Sequence, residues 1–237
     1  MGAEATARWV RGAMLYDASR LGQPTPAAFE RDHWRGRGEI EEVTGGRGTV
    51  AFVRPDGQRW VLRHYCRGGF MAHVSRDAYL WTGEARARSF LEWRLLRQLI
   101  EWGLPVPVPV AARYQRHGLL YRADLITEEL PTRVTVTHAL RAGPLDEDRW
   151  RQIGECVGRL HARGVQHADL NAHNLLLGAG AAVYVLDFDK GRIRARGAWE
   201  QAVLQRLRRS IEKVTTGLGA DRFGEREWGW LLAGCAG

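Results

Sequence analysis

Lysine is nearly missing from this chain. Of 35 basic residues among 237, only Lys190 and Lys213 are lysine, and the rest are arginine. Part of that skew reflects an Ala- and Gly-rich composition, so arginine by itself does not announce function. Cysteine is scarce too: Cys66, Cys156 and Cys235 are far apart and odd in number. They make neither a disulfide framework nor a CxxC metal site, and a reducing cytosol is the natural reading. No run of 18 apolar residues occurs, which excludes a helix spanning a bilayer. Residues 1–15 lack an apolar core ahead of a cleavage site, so export is not expected. No histidine pair has metal-ligand spacing, and no internal repeat or low-complexity tract is present. The opening Met1-Gly2-Ala3-Glu4-Ala5-Thr6 fits the myristoylation pattern, but that pattern is short enough to arise by chance.

What is present reads as globular. Hydrophobic residues are 45% and charged residues 26%, and the length suits one large domain or two compact lobes. The formal net charge of +8 points to an anionic partner: nucleic acid, a phosphorylated ligand or an anionic membrane surface. No nucleic-acid motif accompanies the charge, so a nucleic-acid-binding protein rests on charge alone.

Residues 2–37 are mixed, with Pro24 and Pro26 breaking any long helix, and strand character starts near Ile40. Residues 49–53 and 60–65 are strand-like around the turn Arg54-Pro55-Asp56-Gly57-Gln58. Residues 86–102 carry Phe90, Trp93, Leu96 and Leu99 at helical spacing and stop at Gly103. Two further strands are expected over 108–114 and 119–130. From there the chain becomes helix-rich. Residues 146–163 put Trp150, Ile153, Val157 and Leu160 on one face, with Gly164 at the C-terminal end. Short strands follow at 174–177 and 183–186, then a helix over 199–214.

Chemistry concentrates in His167-Ala168-Asp169-Leu170-Asn171-Ala172-His173-Asn174. Eighteen residues after Asp169 comes Asp187, in Leu186-Asp187-Phe188-Asp189. A phosphoryl acceptor needs a carboxylate to orient its hydroxyl and take the proton, and nucleotide phosphates need oxygen ligands for Mg²⁺ from another direction. A loop bearing Asp169 and Asn174, followed by a hairpin returning Asp187, brings three hard oxygen donors toward one point. A turn-rich loop with incidental Asn and Asp would explain one HxD, but not the joined series of helix, HxDLxxxN, strand, turn, strand and Asp-Phe.

That series resembles the eukaryotic-type protein-kinase superfamily. The resemblance implies an α+β fold: a two-lobed protein-kinase-like fold with an antiparallel-sheet N-lobe and a reduced helical C-lobe. It implies Asp169 as catalytic base, Asn174 and Asp187 on Mg²⁺, and His167 as a brace. Asn171 stands where such enzymes often place a lysine, a departure from generic protein kinases. Gly46-Arg47-Gly48-Thr49-Val50-Ala51 fits a nucleotide loop whose backbone N–H groups approach phosphates, with alanine in the third glycine position. Arg63 takes the place of the strand lysine at the nucleotide, and Glu92, on the following helix, is its candidate carboxylate. Glu128 and Glu129 end a strand where their backbone would meet adenine. The expected divisions are an extension over 1–37, an N-lobe over 38–130 with a basic, aromatic insertion at 67–85, and a C-lobe over 131–237.

Leu62-Arg63-His64-Tyr65, Asp187-Phe188-Asp189-Lys190 and a tail of 47 residues without Ala-Pro-Glu narrow the resemblance. They are similar to the 3-deoxy-D-manno-octulosonic acid (Kdo) kinases of lipopolysaccharide core assembly, whose relatives phosphorylate heptose. Membership implies ATP-dependent phosphorylation of a Kdo hydroxyl, the 4-hydroxyl, on Kdo-lipid A. It also implies a Gram-negative source and a peripheral place on the cytoplasmic face of the inner membrane, against its anionic surface; the myristoylation match then means nothing. Such an acceptor carries carboxylate and phosphates, which arginine binds bidentately. Lys190, beside Asp187, is a candidate contact to acceptor or phosphate. Arg67, Arg76, Arg86 and Arg88 are candidates around the acceptor. The aromatics Phe70, Met71, Tyr79, Leu80 and Trp81 would either meet the membrane or pack into the small lobe. Arg63 in place of lysine and Asp189 in place of glycine keep a pseudokinase binding module open, and a heptose or other small-sugar kinase is a neighbouring alternative.

Overall fold

The computed structural model describes residues 2–22, 25–42, 50–66, 77–219 and 221–237. It divides into two compact units: residues 1–97 with 108–129, and residues 98–107 with 130–237.

The first unit is built on an antiparallel sheet. Its described strands are β1 (Glu4–Trp9), β2 (Gly12–Asp17), β3 (Ile40–Glu42), β4 (Val50–Val53), β5 (Trp60–His64), β6 (Tyr79–Leu80), β7 (Pro109–His117) and β8 (Leu120–Glu128). The order is β1-β2-β7-β8-β5-β4-β3, with β6 also paired to β8. Strand character therefore begins at residue 4, not near Ile40. The inward positions of β1 are Ala5, Ala7 and Trp9, alternating with exposed neighbours. Two alanines carry so little hydrophobic contrast that the period of two is faint in the sequence. Between β4 and β5 the expected turn is present, with Asp56 and Gly57 both at positive φ (47° and 77°). The short helix α1 (Arg31–Gly36) buries Trp34, whose ring packs edge-on to Trp60 at 6.5 Å.

The long helix α2 (Arg88–Glu101) begins in this unit. Phe90 and Trp93 are fully buried, as their spacing predicts. Trp93 Nε1 donates to Glu4 at 2.9 Å and Ser89 Oγ to the carbonyl of Arg113 at 2.8 Å, so the helix is pinned to the sheet at two places. Tyr79 is buried and Trp81 packs on Tyr114 (4.7 Å) and Tyr121 (5.6 Å). These two aromatics belong to the packing of the unit, while Leu80 between them is exposed. Phe70, Met71, Arg67 and Arg76 lie outside the described residues, as do Gly46 and Gly48 of the nucleotide loop.

The second unit is mainly helical, with α3 (Val136–Ala142), α4 (Glu147–Ala162), α5 (Trp199–Thr215) and α6 (Glu225–Ala236). Asp146 caps α4 by accepting from the N–H of Arg149 at 2.8 Å, satisfying one of the free donors of the first turn. The predicted apolar face of α4 is buried, and α6 packs closely along the helix. Glycine makes that approach feasible. A Cβ at Gly154 would stand 2.0 Å from the carbonyl oxygen of Leu231, and one at Gly234 2.1 Å from that of Arg151. Trp228 and Leu231 of α6 are buried, so the tryptophan-containing C-terminus serves the core of this unit.

Two small strand pairings shape the segment after α4. β9 (Val165–Gln166) pairs with β12 (Arg192–Ile193), and β10 (Leu175–Leu177) forms a hairpin with β11 (Val183–Val185). Gly164 opens this region at φ +68°, where a side chain would also strike the carbonyl of Arg194 at 2.2 Å. The loop over 167–174 and the turn over 186–191 thus begin and end against one another.

Candidate active site

Each unit presents one set of the expected functional residues. In the first, Arg63 on β5 is ion-paired with Glu92 on α2, whose side chain is 3% exposed. Tyr65, two residues on, donates its hydroxyl to the same carboxylate at 2.5 Å, and the Arg63 guanidinium stacks over the Tyr65 ring at 4.6 Å. Burial and the adjacent Glu92 charge push the Tyr65 phenol well above its ordinary range, so it acts only as a donor here. The outcome is an arginine head group held from two sides, a fixed cation of the kind that neutralises phosphate charge.

Glu129 takes a place its sequence neighbours do not reveal. Its side chain is 2% exposed and accepts from Arg54 (2.8 Å) and Arg59 (3.0 Å). Its backbone N–H donates to the carbonyl of Arg59 at 2.8 Å. Glu128 accepts from Arg20 Nε at 2.7 Å. Both side chains are thus engaged in the ion pairs that fasten the end of β8. Arg86 is exposed, and Arg88 stacks over Tyr79 at 4.6 Å.

In the second unit the catalytic loop is braced from inside. His167 is 1% exposed. Its Nδ1 accepts from the N–H of Asp169 at 3.2 Å, so Nε2 carries the proton and donates to the carbonyl of Leu186 at 2.8 Å. The ring meets Phe188 edge-on at 4.8 Å. One imidazole therefore ties the residue before Asp187 to the backbone of Asp169 itself. A second tie runs from the N–H of Leu186 to the carbonyl of Asn174 at 2.8 Å. Asn171 Nδ2 (2.8 Å) and Asn174 Nδ2 (3.0 Å) both donate to the carbonyl of Asp169, which folds the loop around that residue. Asp187 sits at φ +63° and Lys190 at φ +65°, left-handed conformations uncommon for such residues. Lys190 is exposed.

The donor set suits magnesium. Asn174 and Asp187 offer an amide oxygen and a carboxylate, the hard ligands that ion takes. The Asn174 nitrogen is already committed to the carbonyl of Asp169, which leaves its oxygen available to a metal ion. The Asp169 carboxylate is 56% exposed, which leaves it accessible to a group arriving from solvent.

One functional neighbour has no role in the sequence reading. Arg206, on α5, donates to Asp169 Oδ1 at 2.5 Å. With both side chains about half exposed, the pair contributes little to stability. Its consequence is positional: Arg206 holds Oδ1, and Oδ2 has no side-chain partner among the described residues. The signal lies in the tail, where residues 206, 209, 210 and 213 recur at helical spacing opposite the buried Val203, Leu207 and Ile211. Nothing local connects that face to Asp169, 37 residues earlier.

A sheet unit with a buried cation–carboxylate pair, followed by a helical unit with this loop and hairpin, defines a protein-kinase-like phosphotransferase. The family model described as lipopolysaccharide kinase (Kdo/WaaP) matches residues 31–234, and the chain belongs to that family. The chain is 43% identical over 204 residues to a 3-deoxy-D-manno-octulosonic acid kinase of Xylella fastidiosa (strain 9a5c), covering 86% of this chain and 81% of that protein. It is 45% identical over 205 residues, with the same coverage, to the enzyme of that name from Xanthomonas axonopodis pv. citri (strain 306).

Proposed function

We propose that the protein transfers the γ-phosphoryl of ATP to a Kdo hydroxyl, the 4-hydroxyl, on Kdo-lipid A in lipopolysaccharide core biosynthesis. The observation that carries the mechanism is the exposed Asp169 carboxylate, with one oxygen held by Arg206 and its loop tied through His167 to the residue before Asp187. The kinases named above, 43–45% identical over most of this chain, support the choice of acceptor.

Oδ2 of Asp169 accepts the hydroxyl proton as the sugar oxygen bonds to the γ-phosphorus and the bond to the ADP oxygen breaks. Asn174 and Asp187 would hold magnesium, which when bound offsets charge on the phosphate oxygens. Arg63, steadied by Glu92 and Tyr65, neutralises phosphate charge on the nucleotide; Gly46 and Gly48 would approach it through backbone N–H groups, and Glu129 would offer its backbone carbonyl to adenine. Lys190 remains a candidate contact to a phosphate. Little covalent chemistry is asked of the protein, and positioning and electrostatics dominate.

The enzyme would act as a peripheral protein on the cytoplasmic face of the inner membrane of a Gram-negative bacterium. The net charge of +8 suits that anionic surface, and no helix among the described residues is long and apolar enough to cross a membrane. Asp169→Asn should lose at least ~10²-fold in kcat, the scale of general-base loss, while ATP binding persists. The readout is transfer of labelled phosphate to Kdo-lipid A. Turnover near the wild-type rate in that variant would overturn the assignment.

A further inference from the structure

Beside Asp169 the second unit has a cavity of about 550 Å³ whose lining is strongly cationic. Arg206, Arg209 and Lys213 enter it from one face of α5, and Arg141 from the last turn of α3. Asp169 is, among the described residues, the one carboxylate in the lining, set against four cations. Among the described residues, the side chains of Arg141, Arg209 and Lys213 have no hydrogen-bond or ion-pair partner. Elsewhere among the described residues many arginines meet glutamate or aspartate, as Arg54, Arg59, Arg63 and Arg113 do. One of only two lysines in the sequence is spent here.

The cavity is fixed relative to the catalytic carboxylate. The N–H of Ala172, in the catalytic loop, donates to Ser210 Oγ of α5 at 3.1 Å. The carbonyl of the same residue accepts from the N–H of Thr137 of α3 at 3.2 Å. Both helices that carry the cations are therefore clamped to one residue of the loop, three positions from Asp169. Neither Asn174 nor Asp187 lines the cavity. It lies beside the base, and the residues that would hold metal are not part of its lining, which leaves it open to an acceptor. Its volume is in the range that takes a small ligand such as one sugar acid.

We propose that this cavity is the acceptor-anion site: Arg209, Lys213 and Arg141 bind an anionic oxygen group of the acceptor, carboxylate or phosphate, and so aim its hydroxyl at Asp169. Arg206 is shared between that anion and the catalytic carboxylate. The proposal rests on the phosphotransfer reading above and deepens it. It moves acceptor recognition from the arginines of residues 67–88 to the α5 face.

The test uses the full-length protein and a Kdo-bearing lipid A precursor. In the double variant Arg209→Gln/Lys213→Gln, loss of two charge-assisted contacts should raise KM for the acceptor by ~10- to 100-fold and leave KM for ATP within about twofold. The charge-conserving pair Arg209→Lys/Lys213→Arg should recover most of that loss, which separates binding from damage to α5. Acceptor with its sugar carboxylate converted to an amide, and acceptor stripped of lipid phosphates, identify the anion. Whichever removal raises the wild-type KM should have no further effect in the double variant. An unchanged acceptor KM in the double variant, or an equal rise in KM for ATP, overturns the site. Direct binding of the acceptor without ATP distinguishes the two levels: if wild type binds it through these residues but transfers no phosphate, the kinase reading fails and the anion site stands.

Discussion

Replacing Glu92 by glutamine isolates one charge at nearly constant shape. The carboxylate is 3% exposed and takes two donors, the Arg63 guanidinium and the Tyr65 hydroxyl. Both donors meet the same carboxylate oxygen, Oε2, so an amide oxygen can still accept from them, but without the charge that strengthens each contact and holds the guanidinium. Removing one partner of a fully buried ion pair costs ~3–5 kcal/mol, and a hydrogen bond to a charged group is worth ~1.5–3 kcal/mol. Arg63 is 20% exposed and rests on an aromatic face, so water partly compensates it and the lower range applies. A loss of about 2 kcal/mol is expected, which in a chain of this size lowers the melting temperature by ~4–8 °C. The functional effect should run through Arg63: once unpinned it no longer presents a fixed cation, and KM for ATP should rise ~10-fold, equivalent to ~1.4 kcal/mol. Tyr65→Phe is the comparison. It removes one donor, leaves the ion pair, and should cost about 1 kcal/mol with little change in KM for ATP. Thermal unfolding and ATP-saturation kinetics on the three proteins decide the matter. If Glu92→Gln matches wild type in both, or Tyr65→Phe raises KM for ATP equally, the pair does not position Arg63.

Two further predictions concern stability. Gly154→Ala should destabilise by ~1–3 kcal/mol or more, because the new methyl meets backbone at 2.0 Å and the helices must separate. Gly229→Ala on α6, with nothing within 4 Å, should instead stabilise by up to ~1 kcal/mol through helix propensity, and urea denaturation would expose any failure of that contrast. His64 is held above its usual 6.5 chiefly by its hydrogen bond to Asp124 (2.6 Å). Its contribution is complete below 6.5 and fades as pH rises through the higher folded-state value, so His64→Gln should lower the melting temperature more at pH 6 than at pH 9. Equal losses at both pH values would contradict a protonated His64.

The loop over 167–174 and the hairpin after it were legible in the sequence because their pattern is local. Asp169, Asn174 and their bracing histidine fall within eight residues, and Asp187 follows on a hairpin whose strands and turn are plain in the apolar pattern. Helices α2, α4 and α5 were legible for the same reason: buried residues repeat at helical period along each. The Arg63–Glu92 pairing could be anticipated only through family resemblance, since 29 residues separate the two and glutamate on a helix is commonplace. The β1–β2 hairpin could not, because its inward alanines barely mark a face.

Residue types, their spacing and the family they resemble are properties of the sequence by itself. Long-range partnership is not. Arg206 against Asp169, Arg54 and Arg59 around Glu129, and the α3 and α5 cations around one cavity join residues 37 to 75 positions apart. With arginine so abundant, composition ranks no arginine above another. Only folding, by burying one face of α5 and clamping it to Ala172, decides which of them stand beside the Asp169 carboxylate.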